Sequence, residues 1–243
     1  MSIYVIIPAY NEEDRITETL EDYGRLLDKG KVLKVFVVSE STDGTDLIVN
    51  RYSRKHRTIT LVRGKNRRGK GAAVLAGFER ALEHAEDDDI VGFVDADDAV
   101  TAEQFLRLLS SIDGYDCIIG SRYVKGNRMI GKVGARRRIA SRAYNILVKL
   151  LFGLHYNDTQ CGAKLFKAGA LRAITRRITV KGLGFDVNVL YELTLDGKKI
   201  KEYPIKYFVK NTGTSITVAQ VIDMFFNTLS YRLSRSGARR RDA

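Results

Sequence analysis

The sequence predicts an α/β protein built on a mostly parallel sheet. Two observations predict it. In the first half, short runs rich in Val and Ile alternate with amphipathic helical segments. The polar stretches "PAYNE", "SESTDGT", "DADD" and "GSRY" each follow one of those runs directly. Apolar runs of that length suit strands buried on both faces, the condition of strands in a parallel sheet flanked by helices.

The elements follow in order. IYVIIP (3–8) is the first strand, and the next segment places Ile16, Leu20, Tyr23 and Leu27 on one helical face. LKVFVV (33–38) and TITLV (58–62) are the second and third strands. A glycine-rich stretch, GKNRRGKGAAVLAGF (64–78), then turns into a helix with Val74, Phe78, Ala81 and Leu82 together. IVGFVD (90–95) is the fourth strand. After it Thr101 is the expected N-cap, and Gln104 its capping-box partner, for a helix that turns Phe105, Leu108 and Leu109 inward. YDCIIG (115–120) closes the series.

The second half is less regular. Residues 136–154 and 217–233 read as helices. The latter carries a stripe of Val218, Val221, Ile222, Phe225, Phe226, Leu229 and Leu233. That stripe fits a helix docked on the core or one lying on anionic lipid. The basic tail, 236–243, is expected to be disordered.

With 44% hydrophobic and 29% charged residues over 243 positions, the chain can bury a sizeable core. Cys117 and Cys161 lack CxxC spacing and read as reduced, buried thiols. His56, His84 and His155 have no metal-ligand spacing. No signal segment opens the sequence, and no apolar run nears the ~20 residues of a membrane span. The expectation is a cytoplasmic chain, peripherally attached at most to the cytosolic face of a membrane. The net charge of +12 divides unevenly, −6 over 1–121 and +18 over 122–243. So basic a half implies a phosphate-rich partner: nucleic acid, anionic lipid or a phosphorylated substrate.

In an α/β sheet of this kind, ligands bind beyond the carboxyl ends of the strands, so the four polar stretches should meet in one crevice. There Asp95, Asp97 and Asp98 would repel one another without a cation among them. Hard carboxylate oxygens suit Mg²⁺ or Mn²⁺, completed by substrate phosphates. Gly64, Gly69 and Lys70 fit the start of an ATPase phosphate loop, but Gly71 stands where Ser or Thr would hold the metal. Lys70 is instead available to an anion at a helix N-terminus.

Taken together, "VIIPAYNEE", "STDGT", "NRRGKGAAVLAGF", "FVDADD" and "IGSRYVKG" resemble the inverting glycosyltransferases of family 2, which have the GT-A fold. "NDTQCGAKLF", "GFDVNVLYEL" and "YPIKYFVKNTGTS" are similar to the dolichyl-phosphate glucose and mannose synthases. The resemblance implies a catalytic domain over 1–217, with a nucleotide-binding half (1–121) and an acceptor half (122–217), then an amphipathic helix over 218–235. It implies transfer of a hexose from a nucleotide sugar, UDP-glucose or GDP-mannose, to a polyprenyl or dolichyl phosphate, with Mg²⁺ or Mn²⁺. Pro8, Tyr10 and Glu12 would frame the nucleoside, with Lys70, Asp95 and Ala96 at the nucleotide. Asp97 would be the chief metal ligand, assisted by Asp95. Arg122 would lie near the diphosphate or acceptor, and Asp158 and Gln160 would line the sugar pocket. Arg137 or Arg138, and Lys210, would hold the acceptor phosphate.

Two departures stand out. Relatives carry consecutive acids before the S-x-D-x-T stretch, where this chain has Val38 and Ser39, with Glu40 the nearest acid. Ala99 stands where mannose-type relatives have a metal-binding Gln, so Asp98 or water completes the shell. An anionic membrane surface is an expected partner, and a homo-oligomer is left open. The alternatives are a family 2 enzyme with a non-lipid acceptor, which would want a base such as Asp158 or Asp186, and a non-catalytic nucleotide-sugar sensor. A nucleic-acid-binding module is disfavoured, because the basic segments carry no recognised nucleic-acid motif.

Overall fold

A computed structural model describes residues 1–27, 33–64, 69–210 and 218–239, without the side chains of 27, 136, 137, 218–222 and 236–239. The strands are β1 (Ile3–Ala9), β2 (Leu33–Ser39), β3 (Ile59–Arg63), β4 (Ile90–Val94), β5 (Cys117–Ser121), β6 (Arg128–Ile130), β7 (Ala163–Lys167), β8 (Ile200–Pro204) and β9 (Lys206–Phe208). The helices are α1 (Ile16–Leu27), α2 (Thr45–Lys55), α3 (Lys70–Leu82), α4 (Ala102–Leu109), α5 (Ala135–Phe152), α6 (Ala168–Ile174), α7 (Phe185–Leu195) and α8 (Val218–Arg239).

All five expected strands form, each within two residues of its expected ends. Seven strands make one sheet in the order β3-β2-β1-β4-β7-β5-β8, and β6 and β9 pair separately. The main sheet is parallel except at β7, which runs antiparallel between β4 and β5. The two halves of the sequence therefore share a single sheet. Alternation along β1 sends Tyr4 and Ile6 into one core and Ile3, Val5 and Ile7 into the other. Helices α3 and α7 cover the first face, and α1 and α4 the second.

Thr101 caps α4 as expected, its Oγ1 accepting from Gln104 N at 3.4 Å. The capping box does not close, however. Gln104 is buried and its Oε1 accepts from Lys206 N at 2.9 Å, so tertiary pairing has taken the side chain from the cap. Both cysteines are free and buried, as expected, and burial pushes the Cys161 thiol up to about 12.

Helix α8 runs to Arg239, so residues 236–239, expected in a disordered tail, are helical. It docks on the core through Met224, Thr228 and Tyr231. Beneath it lies Glu192, with no exposed surface. Glu192 accepts from Tyr231 Oη at 2.5 Å and Arg235 Nε at 2.8 Å, and Arg177 Nε lies 2.9 Å away. Hydrogen bonds to charged groups are worth about 1.5–3 kcal/mol each, and those from Tyr231 and Arg235 tie α8 to α7, while Arg177 adds an ion pair from the segment after α6. Glu192→Gln is expected to cost about 1–3 kcal/mol, measured as a lower denaturation midpoint, with earlier proteolytic cleavage in α8. No helix among the described residues is long and apolar enough to cross a membrane.

Candidate active site

Strands β1, β2, β4 and β5 end on the same edge of the sheet: β1 is parallel to β2 and β4, and β7, antiparallel to both β4 and β5, leaves those two pointing the same way. The loops after β1 and β2 are laced together. Thr42 N donates to Asn11 Oδ1 at 2.9 Å, Glu12 N to Thr45 Oγ1 at 2.8 Å, and Gly44 N to Glu13 Oε2 at 2.9 Å. Asn11 adopts φ 54°, a left-handed conformation that Asn tolerates by bonding locally. Pro8 lies opposite Val38, the pairing of β1 ends one residue later at Ala9 opposite Ser39, and Tyr10 follows, 45% exposed.

Asp97 follows β4. Its Oδ1 accepts from Ala99 N at 3.1 Å, while burial and the charge of Asp95 push its carboxyl above the usual range. Asp95 carries a cation already: Lys70 Nζ, at the start of α3, lies 2.6 Å from its Oδ1. Asp95 also packs on Gly162, where a Cβ would come within 1.9 Å of its Oδ2. Burial pushes Glu12 up as well, against the lowering effect of its ion pair with Arg15.

Behind this pair is a second one. Lys164, on β7 with no exposed surface, donates to Cys161 O at 2.7 Å and pairs with Asp186 of α7. Both ammonium groups flank the Phe93 ring, Lys70 at 5.5 Å and Lys164 at 5.3 Å from its centroid. Asp95 and Asp186 together hold Lys70 cationic despite its burial, which opposes them.

Arg122 follows β5 and is locked in place. Its Nε and Nη2 donate to Asp158 Oδ2 and Oδ1 at 2.7 and 2.8 Å, and its backbone N to Oδ2 at 2.9 Å. Tyr207 and Tyr123 flank the guanidinium at 5.2 and 5.5 Å. Asp158 N is held in turn by Glu202 Oε1 at 2.9 Å. Arg122, Asp97, Arg15 and Lys210 line one cleft of about 610 Å³ including its open mouth, with Tyr123, Ser141 and Tyr207. Lys210 reaches Glu18 at 2.9 Å and Asp98 at 4.0 Å.

Asp98 does not join the other two aspartates. At φ 52° it turns toward α1, where burial and Asp22 push its carboxyl up to about 6 against the pull of Lys210. Among the described residues no three Asp, Glu, His or Cys side chains converge. Asp95 and Asp97 thus remain the two carboxylates for a cation. That set fits Mg²⁺ or Mn²⁺, which bind through one or two carboxylates plus water and substrate phosphates. A carboxyl with a raised folded pKa favours the folded state at low pH, and loses that advantage as pH rises through about 6. Asp98→Asn, which keeps the left-handed preference, is therefore expected to raise stability at pH 8 by about 1–3 kcal/mol and to leave it unchanged at pH 4, measured by urea denaturation.

The structure brings Asp97, Arg122 and Lys210 together and redirects several other residues. Asp158 gives both oxygens to Arg122 and so positions that arginine. Lys70 faces Asp95 and not an open helix terminus. Ser39 is buried, donating to Asp46 Oδ1 at 2.5 Å, while Glu40 lies against Gly64. Ala96 turns its methyl into the core, and Thr19 Oγ1 donates to its carbonyl at 2.8 Å. Arg138 is exposed on α5 and absent from the cleft wall, and the side chain of Arg137 lies outside the described residues. Gln160 is partly buried with Nε2 lacking a hydrogen-bond partner, and it is not in the cleft wall. Sequence reasoning missed Arg15, Tyr123, Ser141 and Tyr207 in the wall. The one signal for Arg15 was its position three residues after Glu12.

The family model for glycosyl transferase family 2 matches residues 4–177. An undecaprenyl-phosphate mannosyltransferase of Micrococcus luteus is 33% identical over 217 residues, 88% of this chain and 87% of that protein. A dolichyl-phosphate beta-glucosyltransferase of Drosophila melanogaster is 33% identical over 207 residues, 79% of this chain, but this chain spans only 62% of that relative's length. Among solved structures, glucosyl-3-phosphoglycerate synthase from Mycobacterium tuberculosis, in complex with Mn²⁺, UDP-glucose and phosphoglyceric acid, superposes with a TM-score of 0.70. It is 20% identical, over 97% of this chain and 80% of that one, a likeness of fold.

Proposed function

The chain belongs to glycosyl transferase family 2, and from that premise we propose that it transfers a hexose from a nucleoside diphosphate sugar to the phosphate of a polyprenyl lipid, with inversion at the anomeric carbon. The observation that carries this reading is the single cleft lined by Asp97 and also by Arg15, Arg122 and Lys210. A site for one neutral sugar acceptor needs no such collection of cations. A site that brings two phosphate-bearing substrates together does. The relatives named for undecaprenyl-phosphate and dolichyl-phosphate sugar transfer support the lipid phosphate as acceptor.

A Mg²⁺ or Mn²⁺ ion held by Asp97, with Asp95 behind it, would neutralise the charge that develops on the departing diphosphate. Arg122, fixed by Asp158 and by two tyrosines, presents its outer face to the acceptor phosphate without reorganising. Lys210 and Arg15 add positive charge to the same wall. An oxygen of the lipid phosphate attacks the anomeric carbon. The bond from that carbon to the nucleotide diphosphate breaks, and the diphosphate leaves with the electron pair. A phosphate monoester with a second pKa near ~6 is already anionic at neutral pH, so no general base is required. Asp158, with both oxygens taken by Arg122, need not serve as one.

The lipid must reach this cleft from a membrane. Residues 117–157 contain nine Lys and Arg and no Asp or Glu. Helix α5 in that stretch exposes Ile139, Ile146 and Leu150 at 68%, 58% and 79%, and α8 beside it exposes Phe226 and Leu233. This face is assigned to an anionic bilayer. Ile146→Asp with Leu150→Asp is expected to abolish co-flotation with phosphatidylglycerol vesicles; retained flotation, or a change in oligomeric state instead, contradicts the assignment.

The reading is tested by incubating UDP-glucose or GDP-mannose, each with labelled hexose, with a short polyprenyl phosphate and Mn²⁺. Label entering the organic phase from one donor, and lost with EDTA, is the expected result. No transfer from either donor, with nucleotide still bound, points to a non-lipid acceptor.

A further inference from the structure

We propose that Lys70 is an internal competitor for the divalent cation, occupying Asp95 until a nucleotide diphosphate arrives and so making metal binding depend on nucleotide. This deepens the reading of the cleft as a metal–nucleotide site and rests on it.

Two facts carry the inference. First, the protein offers few ligands of its own: among the described residues no three metal-binding side chains converge. Second, one of the two carboxylates available is already in use, since Lys70 Nζ lies 2.6 Å from Asp95 Oδ1. A divalent ion arriving alone meets Asp97 and water. It must also overcome the charge of an ammonium group beside its second carboxylate.

Lys70 is held there from behind. Its helix is seated by Ala72 N, which donates to Lys181 O at 2.9 Å, and Gly71 lets Phe185 approach where a Cβ would lie 2.5 Å from that residue's own Cβ. Asp186, the next carboxylate inward, is itself paired with fully buried Lys164. The row Asp95, Lys70, Asp186, Lys164 thus alternates in sign and sums to zero. A nucleotide diphosphate changes the balance. Its oxygens supply the missing metal ligands, and its charge gives the Lys70 ammonium another anion, so Asp95 can turn to the metal. The coupling is reciprocal: a cation that strengthens nucleotide binding is itself held more tightly by the nucleotide.

The test is titration of MnCl₂ into the protein, followed by electron paramagnetic resonance of free Mn²⁺, with and without UDP or GDP. In the native chain at least one of the two nucleotides should raise Mn²⁺ affinity strongly. Lys70→Met should bind Mn²⁺ alone at least about tenfold more tightly than the native chain, and the nucleotide's enhancement should shrink correspondingly. Lys70→Arg, which keeps the charge, should retain the native pattern. Lys70→Gln repeats the neutral test if circular dichroism shows that the Met variant is not folded. If the neutral variants bind Mn²⁺ alone no more tightly than the native chain while nucleotide still enhances it, Lys70 is no competitor, and the site reading survives. If neither nucleotide enhances Mn²⁺ binding to the native chain, the proposal and the site reading both fall.

Discussion

Asp97→Asn is expected to lower sugar transfer by about 10²–10³-fold while leaving the protein folded. The substitution keeps the shape and the oxygen that accepts from Ala99 N, so the turn after β4 survives. What disappears is the negative charge of the carboxylate that lines the cleft with Arg122 and Lys210, while Lys70 pairs with Asp95. Loss of Mn²⁺-dependent nucleotide affinity should accompany the loss of turnover. Asp98→Asn is the contrast: its carboxylate faces Asp22 and Lys210, and Mn²⁺ affinity should not change. Equal effects at the two positions would mean that Asp98 shares in holding the ion.

The second large effect is expected at Asp158. Its side chain is 2% exposed and gives both oxygens to Arg122, which is 13% exposed. Removing one member of so buried a pair strands the other, at a typical cost of about 3–5 kcal/mol. Asp158→Ala should therefore destabilise the chain by that order, seen in urea denaturation. Asp158→Asn is gentler, since its amide still has one oxygen to accept. There, transfer should fall by about 10²-fold, with the KM for the acceptor lipid rising more than that for the nucleotide sugar. Arg122→Lys should behave like Asp158→Asn in activity, because an ammonium cannot form the two parallel bonds that fix the guanidinium. A rise confined to the KM for the nucleotide sugar would place Arg122 at the donor.

Much of the frame was legible because its strands are short runs dominated by Val and Ile. Of the four strands not expected among the described residues, β6 to β9, β7 is missed for a physical reason. Its second residue is Lys164, which reads as a surface residue until Asp186, twenty-two positions later, neutralises it inside the core. The same kind of long-range pairing hid the roles of Asp158 and Lys70. A carboxylate in a ligand loop reads as a ligand, and only the fold reveals that its oxygens face an arginine 36 positions earlier. Asp97, Arg122 and Lys210 line one cleft. Arg15 and Tyr207, which complete the wall with them, lie in segments whose local pattern speaks only of a helix start and a short strand.

In the proposed reaction the lipid's own phosphate is the nucleophile, displacing a nucleotide diphosphate in this cleft. It is tested most directly by isolating the product formed from polyprenyl phosphate and a nucleotide α-hexose and reading its anomeric configuration by NMR. The expected product is a hexose joined through the phosphate, with the anomeric carbon inverted. A retained configuration, or no hexosyl phosphate lipid from any donor that binds, would contradict it.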